Sequence, residues 1–143
     1  MSKIAVVYWS GTGNTESMAK SVVDGIRERG AEAELFTAAK FDAGLVDAYD
    51  AIAFGCPAMG AEELEEEEFL PMFEACLPKL KGKRIALFGS YGWGDGEWMR
   101  NWEETCKAGG AELVYDSVMA NEAPGDDEQA ACRGLGAALT GRF

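Results

Sequence analysis

The run Lys3-Ile4-Ala5-Val6-Val7-Tyr8-Trp9-Ser10-Gly11-Thr12-Gly13-Asn14-Thr15 decides how the rest of the chain is read. Residues 3–8 are nearly continuous in apolar types, as a strand covered on both faces requires. From 15 to 29 the apolar spacing becomes helical, and Gly30 stands where a helix takes its C-terminal cap. Between them lies a loop with two glycines (Gly11, Gly13), three hydroxyls (Ser10, Thr12, Thr15) and one amide (Asn14). Glycines let the backbone approach a ligand closely, and the unsatisfied N–H groups opening the following helix favour an anion. One reading is a metal-free phosphate cradle; the other is an ordinary glycine-rich turn capped by Thr or Asn. The loop has no Walker-type lysine, and Glu16 occupies the place of the third glycine in a dinucleotide fingerprint, so a single terminal phosphate suits it best.

Working outward, strand patterns recur at 32–37, 51–55, 84–89 and 112–119, alternating with helical patterns at 67–77, 96–108 and 127–140. That alternation is the mark of βαβ units. The expected fold class is α/β: a three-layer, doubly wound sandwich around a five-stranded parallel sheet with right-handed crossovers. Ligands in such sheets sit beyond the carboxyl ends of the strands, so the loops after strands one, three and four are the places to search. With 143 residues, 48% of them hydrophobic, one domain over 1–143 hides roughly two thirds of its unfolded surface.

Twenty-five acidic residues against 13 basic ones give a net charge of −12, which argues against nucleic acid and anionic membranes and for protein partners with basic patches. Cys56, Cys76, Cys106 and Cys132 form no C-x-x-C pair, and the chain has no histidine. No metal site is expected, and the thiols suit a reduced, cytoplasmic setting. Residues 1–8 lack a signal-peptide pattern and no apolar stretch reaches bilayer length, so no membrane partner is expected.

The loop after the fourth strand, Ser90-Tyr91-Gly92-Trp93-Gly94-Asp95-Gly96, sets two large aromatics among glycines that cannot bury them, which suggests a stacking platform. Trp98 and Trp102, four apart, read instead as core. The loop after the third strand is Gly55-Cys56-Pro57-Ala58-Met59-Gly60-Ala61-Glu62-Glu63. Gly60 can adopt positive φ, so the Met59-Gly60 peptide is a candidate switch. The Glu62 carboxylate either faces the crevice, accepting from an N–H on a heterocycle edge, or is solvated. Cys56 reads as a small buried hydrophobe, since no histidine activates it.

Y-W-S-G-T-G-N-T at 8–15, G-C-P-A-M-G at 55–60 and F-G-S-Y-G-W-G-D-G at 88–96 together closely resemble the short-chain flavodoxins of anaerobic bacteria, and the resemblance runs nearly end to end. It implies the family's strand order, 2-1-3-4-5, with the cofactor at the switch between strands one and three. It also implies a low-potential one-electron carrier, not an enzyme, whose cofactor is non-covalently bound FMN. By position, Ser10, Gly11, Thr12, Gly13, Asn14 and Thr15 would hold the phosphate, with Ser90 nearby. Met59 would pack against one side of the isoalloxazine and Trp93 would stack on the other, the Gly92 backbone would face its pyrimidine edge, and Pro57, Ala58, Tyr91 and Gly94 would also bind the cofactor. Glu62 would accept from flavin N3–H. The Gly60 carbonyl would meet N5–H, stabilising the semiquinone and separating the two reduction steps. Ala61 departs from the polar or acidic residue that relatives often place after this glycine.

The charge then acquires a role, because carboxylates around the ring disfavour an anionic hydroquinone. One exposed charge about 10 Å away costs roughly 0.4 kcal/mol in water. Glu62, Glu63, Glu65, Glu66, Glu67 and Glu68 either dock redox enzymes with basic patches or serve solvation and a helix N-terminus. The chain is expected to act as a monomer. An FMN-dependent quinone or nitro reductase is the enzyme alternative, for whose substrate and NAD(P)H sites the chain has little spare length. A phosphoacceptor domain would need acidic residues where Trp9-Ser10 and Cys56-Pro57 stand.

Overall fold

Apolar positions in α1 (Asn14–Glu28) recur as Met18, Val22 and Ile26 with Ala19 and Val23 beside them, one stripe at helical spacing, and all five are buried. Gly30 (φ 79°) ends the turn that follows: its N–H bonds Arg27 O at 3.0 Å and the Ala31 N–H reaches Ile26 O at 3.4 Å, closing the last carbonyls in a Schellman arrangement. The computed structural model describes residues 2–141; Met1, Arg142 and Phe143, included in the single-domain reading, lie outside the described residues.

The strands β1 (Lys3–Tyr8), β2 (Glu32–Thr37), β3 (Ala51–Gly55), β4 (Arg84–Tyr91) and β5 (Glu112–Leu113) form a parallel sheet in the order β2-β1-β3-β4-β5. Because successive side chains alternate faces, Ile4, Val6 and Tyr8 enter one apolar layer while Ala5 and Val7 enter the other. The first layer is closed by α1 and α4 (Asp126–Leu139), the second by α2 (Phe69–Cys76) and α3 (Glu97–Ala108). Both faces are therefore covered, which explains the unbroken apolar strands. Phe54 is 0% exposed, a burial that contributes about 1.5–3 kcal/mol over an exposed side chain.

α1 and α4 approach closely: a Cβ at Gly136 would fall 2.2 Å from Val22 O, and one at Gly25 2.0 Å from Arg133 O. Ser21 Oγ donates to Gln129, whose amide donates to Ser17 Oγ at 2.8 Å, pinning the pair at its polar edge. Between β2 and β3 the chain makes two 3-10 turns, Ala38–Lys40 and Ala43–Ala48, in place of an α-helix, and buries Phe41, Val46 and Tyr49 under the sheet.

The strand expected over 112–119 is divided. β5 ends at Leu113 and β6 (Val118–Asn121) then pairs with the upper half of β4, Phe88 to Tyr91. The intervening Ser117 donates to Glu103 on α3 at 2.6 Å, drawing the chain out of the ladder. This break carries the chain along β4 and delivers residues 122 and 123 to the sheet's carboxyl edge.

Candidate functional site

At that edge the backbones of adjacent loops are tied past the strand ends. Trp9 N donates to Gly55 O (3.0 Å), Ala58 N to Ser90 O (3.0 Å) and Glu122 N to Tyr91 O (2.7 Å). They wall a cleft of about 550 Å³ whose lining includes Thr12, Asn14, Met59, Tyr91 and Glu122. That volume falls within the roughly 300–1,000 Å³ usual for ligand sites.

Gly13 is the N-cap of α1, in the left-handed region (φ 97°), with no side chain capping the helix. The capped-turn reading of this loop, with Thr or Asn as cap, is therefore not realised. Ser10 Oγ instead accepts from Gly13 N at 3.0 Å, folding the loop back on itself. Gly11, Thr12 and Gly13 are exposed beside this open helix end, where unsatisfied N–H groups favour an anion. Thr15 is only 1% exposed; its hydroxyl pairs with Ser90 Oγ at 3.0 Å and accepts from Ser90 N at 3.4 Å. Thr15 thus joins the first loop to the fourth strand from beneath. Among the described residues no lysine or arginine lines the cleft.

On the third loop, Met59 and Glu63 exchange backbone hydrogen bonds of 2.7 and 2.9 Å, closing a turn over Gly60, Ala61 and Glu62. Gly60 has φ 52° and nothing within 4 Å of where a Cβ would stand, so the turn's tip is free of steric support. Glu62, although not glycine, takes φ 58°. Its carboxylate accepts from Asp95 N and Trp98 N, each at 3.2 Å, and so holds the N-terminus of α3. It is not among the cleft's lining residues. A Cβ at Gly94 would fall 1.5 Å from Glu62 Oε1, so this contact requires glycine there.

Trp93 is 64% exposed and Met59 37%. Trp98 and Trp102 are core residues, each 2% exposed, and Trp98 Nε1 donates to Cys56 O at 3.2 Å. Cys56 is fully buried, its thiol pushed up to about 12 by that burial, which keeps it protonated and inert.

The acidic run divides by role. Glu65 is 7% exposed, and its carboxylate accepts 2.8 Å bonds from the N–H groups of Glu67, Glu68 and Phe69. Burial pushes its pKa up, but the three backbone donors outweigh it and hold the group below the ordinary glutamate range. Glu68 accepts from Trp9 Nε1 at 3.0 Å. Glu63, Glu66 and Glu67 are exposed.

Trp9, Glu122 and Ala123 also line the cleft, and reasoning from sequence passed over them. Trp9 was signalled by its place directly before the loop. Glu122 and Ala123 follow the last strand segment, whose end carried the same positional rule as the others. Among the described residues no helix is long and apolar enough to cross a membrane, and no group of three or more Cys, Asp or Glu could hold a metal.

The family model for flavodoxin matches residues 6–136. The flavodoxin of Megasphaera elsdenii is 44% identical over 135 residues, 94% of this chain and 96% of its own. That of Clostridium beijerinckii is 44% identical over 124 residues, 87% of this chain and 90% of its own. The solution structure of two-electron reduced Megasphaera elsdenii flavodoxin superposes with a TM-score of 0.89 at 42% identity, covering 97% of this chain and 99% of that one. Sheet order, loop placement and these likenesses agree: the chain belongs to the flavodoxin family, whose members are FMN-binding electron-transfer proteins rather than enzymes.

Proposed function

We propose that this chain carries single electrons between redox enzymes, moving non-covalently bound FMN mainly between semiquinone and hydroquinone at low potential. The observation that carries this reading is the cleft's make-up. At one end is a helix N-terminus without a side-chain cap, and at the other an exposed loop closed by the Met59–Glu63 pair, with no lysine or arginine among the described residues of the lining. A phosphate is served by the first feature and a flat ring by the second, so the residues fit FMN. FMN supplies the one-electron chemistry; the residues of the chain hold it and set its surroundings.

In this reading Ser10, Gly11, Thr12, Gly13 and Asn14 hold the phosphate through neutral dipoles, while Thr15 fixes Ser90 behind them. Pro57, Ala58 and Met59 pack against one side of the ring, with Trp9 at its flank. Tyr91, Gly92, Trp93 and Gly94 form the other side, and Glu122 and Ala123 close the end. Each Glu62 oxygen accepts one backbone N–H and keeps a lone pair. Anchored on α3 beside Gly94, the carboxylate is set to accept from the ring's N3–H.

Partners dock by basic patches against the exposed Glu63, Glu66 and Glu67, whereas Glu62 and Glu65 are held by helix ends. The protein acts as a cytoplasmic monomer. The experiment is steady-state turnover: FMN-loaded protein mixed with NADH or NADPH and a quinone oxidises neither nucleotide unless a separate reductase is added. Rapid oxidation by this protein alone overturns the carrier reading in favour of a reductase.

A further inference from the structure

By the two-residue alternation of β1, Trp9 continues the face of Ala5 and Val7 and packs on the layer closed by α2 and α3. Its indole joins two elements. On one side it backs the phosphate loop: a Cβ at Gly11 would fall 3.2 and 3.3 Å from two carbons of the six-membered ring, Cη2 and Cζ3. On the other its Nε1–H donates to Glu68 Oε1 at 3.0 Å, from 59 residues away in sequence. The Trp9 backbone is itself fixed, its N–H donating to Gly55 O.

Glu68 stands at the N-cap of α2, where an acceptor side chain ordinarily bonds the free N–H groups of the helix, yet it makes no such bond. Glu65 takes the N–H groups of Glu67, Glu68 and Phe69 instead, which leaves the Glu68 carboxylate to reach back to the indole. The loop behind which the indole stands contains two conformationally free glycines, and Gly11, Thr12 and Gly13 are exposed. Ser10 Oγ fixes this loop at Gly13, and the indole meets it at Gly11. Contacts that order a loop before its ligand arrives lower the cost of binding. A carboxylate one indole away from an anion site is unfavourable by its charge, so charge gives Glu68 no favourable part there, whereas the hydrogen bond does.

We infer that Glu68 is a positioning residue of the phosphate site: by accepting the Trp9 Nε1–H it sets the indole against Gly11 and holds the loop of residues 10–13 in the shape that receives the cofactor's phosphate. This rests on the reading of the cleft as an FMN site. The loop serves the phosphate, so the contact favours FMN over riboflavin, which has the same ring and lacks that group. Glu68 is not among the cleft's lining residues and acts on cofactor choice through Trp9 alone.

The test titrates the full-length chain, stripped of cofactor, with FMN and with riboflavin and reads flavin fluorescence. Glu68→Ala and Glu68→Gln both lose the negative charge, but only the amide keeps an acceptor, so comparing the two cancels the electrostatic effect on the phosphate. Glu68→Ala is expected to bind FMN about 3- to 10-fold more weakly than Glu68→Gln, the worth of one hydrogen bond, while their riboflavin affinities agree. In a Trp9→Phe background, where the N–H is gone, that difference closes. Equal FMN affinity in the two Glu68 variants, or a difference that riboflavin shares, overturns the inference. Since Glu68 is exposed, its two variants keep the test decisive even if Trp9→Phe fails to fold. A parent chain that binds FMN no more tightly than riboflavin overturns the FMN reading and this inference with it; failure confined to the variants overturns this inference alone.

Discussion

Glu65→Ala removes the acceptor of three backbone N–H groups at once. A hydrogen bond to a charged group contributes about 1.5–3 kcal/mol net, and loss of a helix-start acceptor costs about 0.5–2 kcal/mol. Three bonds to one carboxylate do not add in full. Glu67 and Glu68 are exposed, so water replaces the carboxylate there, whereas Phe69 is fully buried and its N–H has no substitute. The expected loss is therefore about 2–3 kcal/mol, or a fall in melting temperature of about 5–10 °C for a protein of this size. Melting is measured at fixed excess FMN, because bound ligand itself raises the midpoint. The pH dependence gives a second reading of the same contact. The folded pKa of Glu65 is depressed, so its stabilisation is complete above the unfolded-chain value and is lost as pH falls through the folded one. Glu65→Gln, which retains one acceptor oxygen, should lose less stability and flatten this acid limb. A change within about 0.5 kcal/mol for Glu65→Ala, with an unaltered acid limb, refutes the capping role.

Three further outcomes are expected. Gly60→Val places a β-branched residue at φ 52° where space is open, so it tests backbone conformation and not collision. A penalty of about 1–2 kcal/mol on the one-electron state should move each potential by about 40–90 mV in opposite directions and so shrink the gap between them by about 90–170 mV, read by redox titration; an unchanged gap removes Gly60 from the switch. Trp93→Ala should weaken FMN binding by about 1–3 kcal/mol, taking base stacking on aromatics as the analogue. Fluorescence titration of the apoprotein checks this, and an unaltered dissociation constant takes Trp93 out of the stack. Added salt should raise the second, lower potential by screening the carboxylates around the ring; a potential that ignores ionic strength denies them that part.

The layers were legible because both sheet faces are covered, so β1 and β3 read as uninterrupted apolar runs and α1 as a single stripe. The phosphate loop was legible because its chemistry is local, lying within six consecutive residues. What could not be read depends on distant partners. Val114 and Tyr115 have the composition of a strand, yet the chain leaves the ladder before Val118, where Ser117 reaches Glu103 fourteen residues back. Glu62 was legible as a candidate acceptor, either facing the crevice or solvated, but not as the acceptor of the Asp95 and Trp98 N–H groups at the start of α3, which only the fold brings to it. Glu65 looked the same as its neighbours, and only the fold shows that it closes a helix start while Glu63 and Glu66 face solvent.

The central claim is that this cleft makes FMN a one-electron carrier, and a spectroscopic redox titration of the FMN-loaded protein tests it most directly. The expected course is a yellow solution that turns blue and stays so after one electron, then bleaches at a distinctly lower potential. Bleaching in a single two-electron step, with no blue species at any point, would contradict the account.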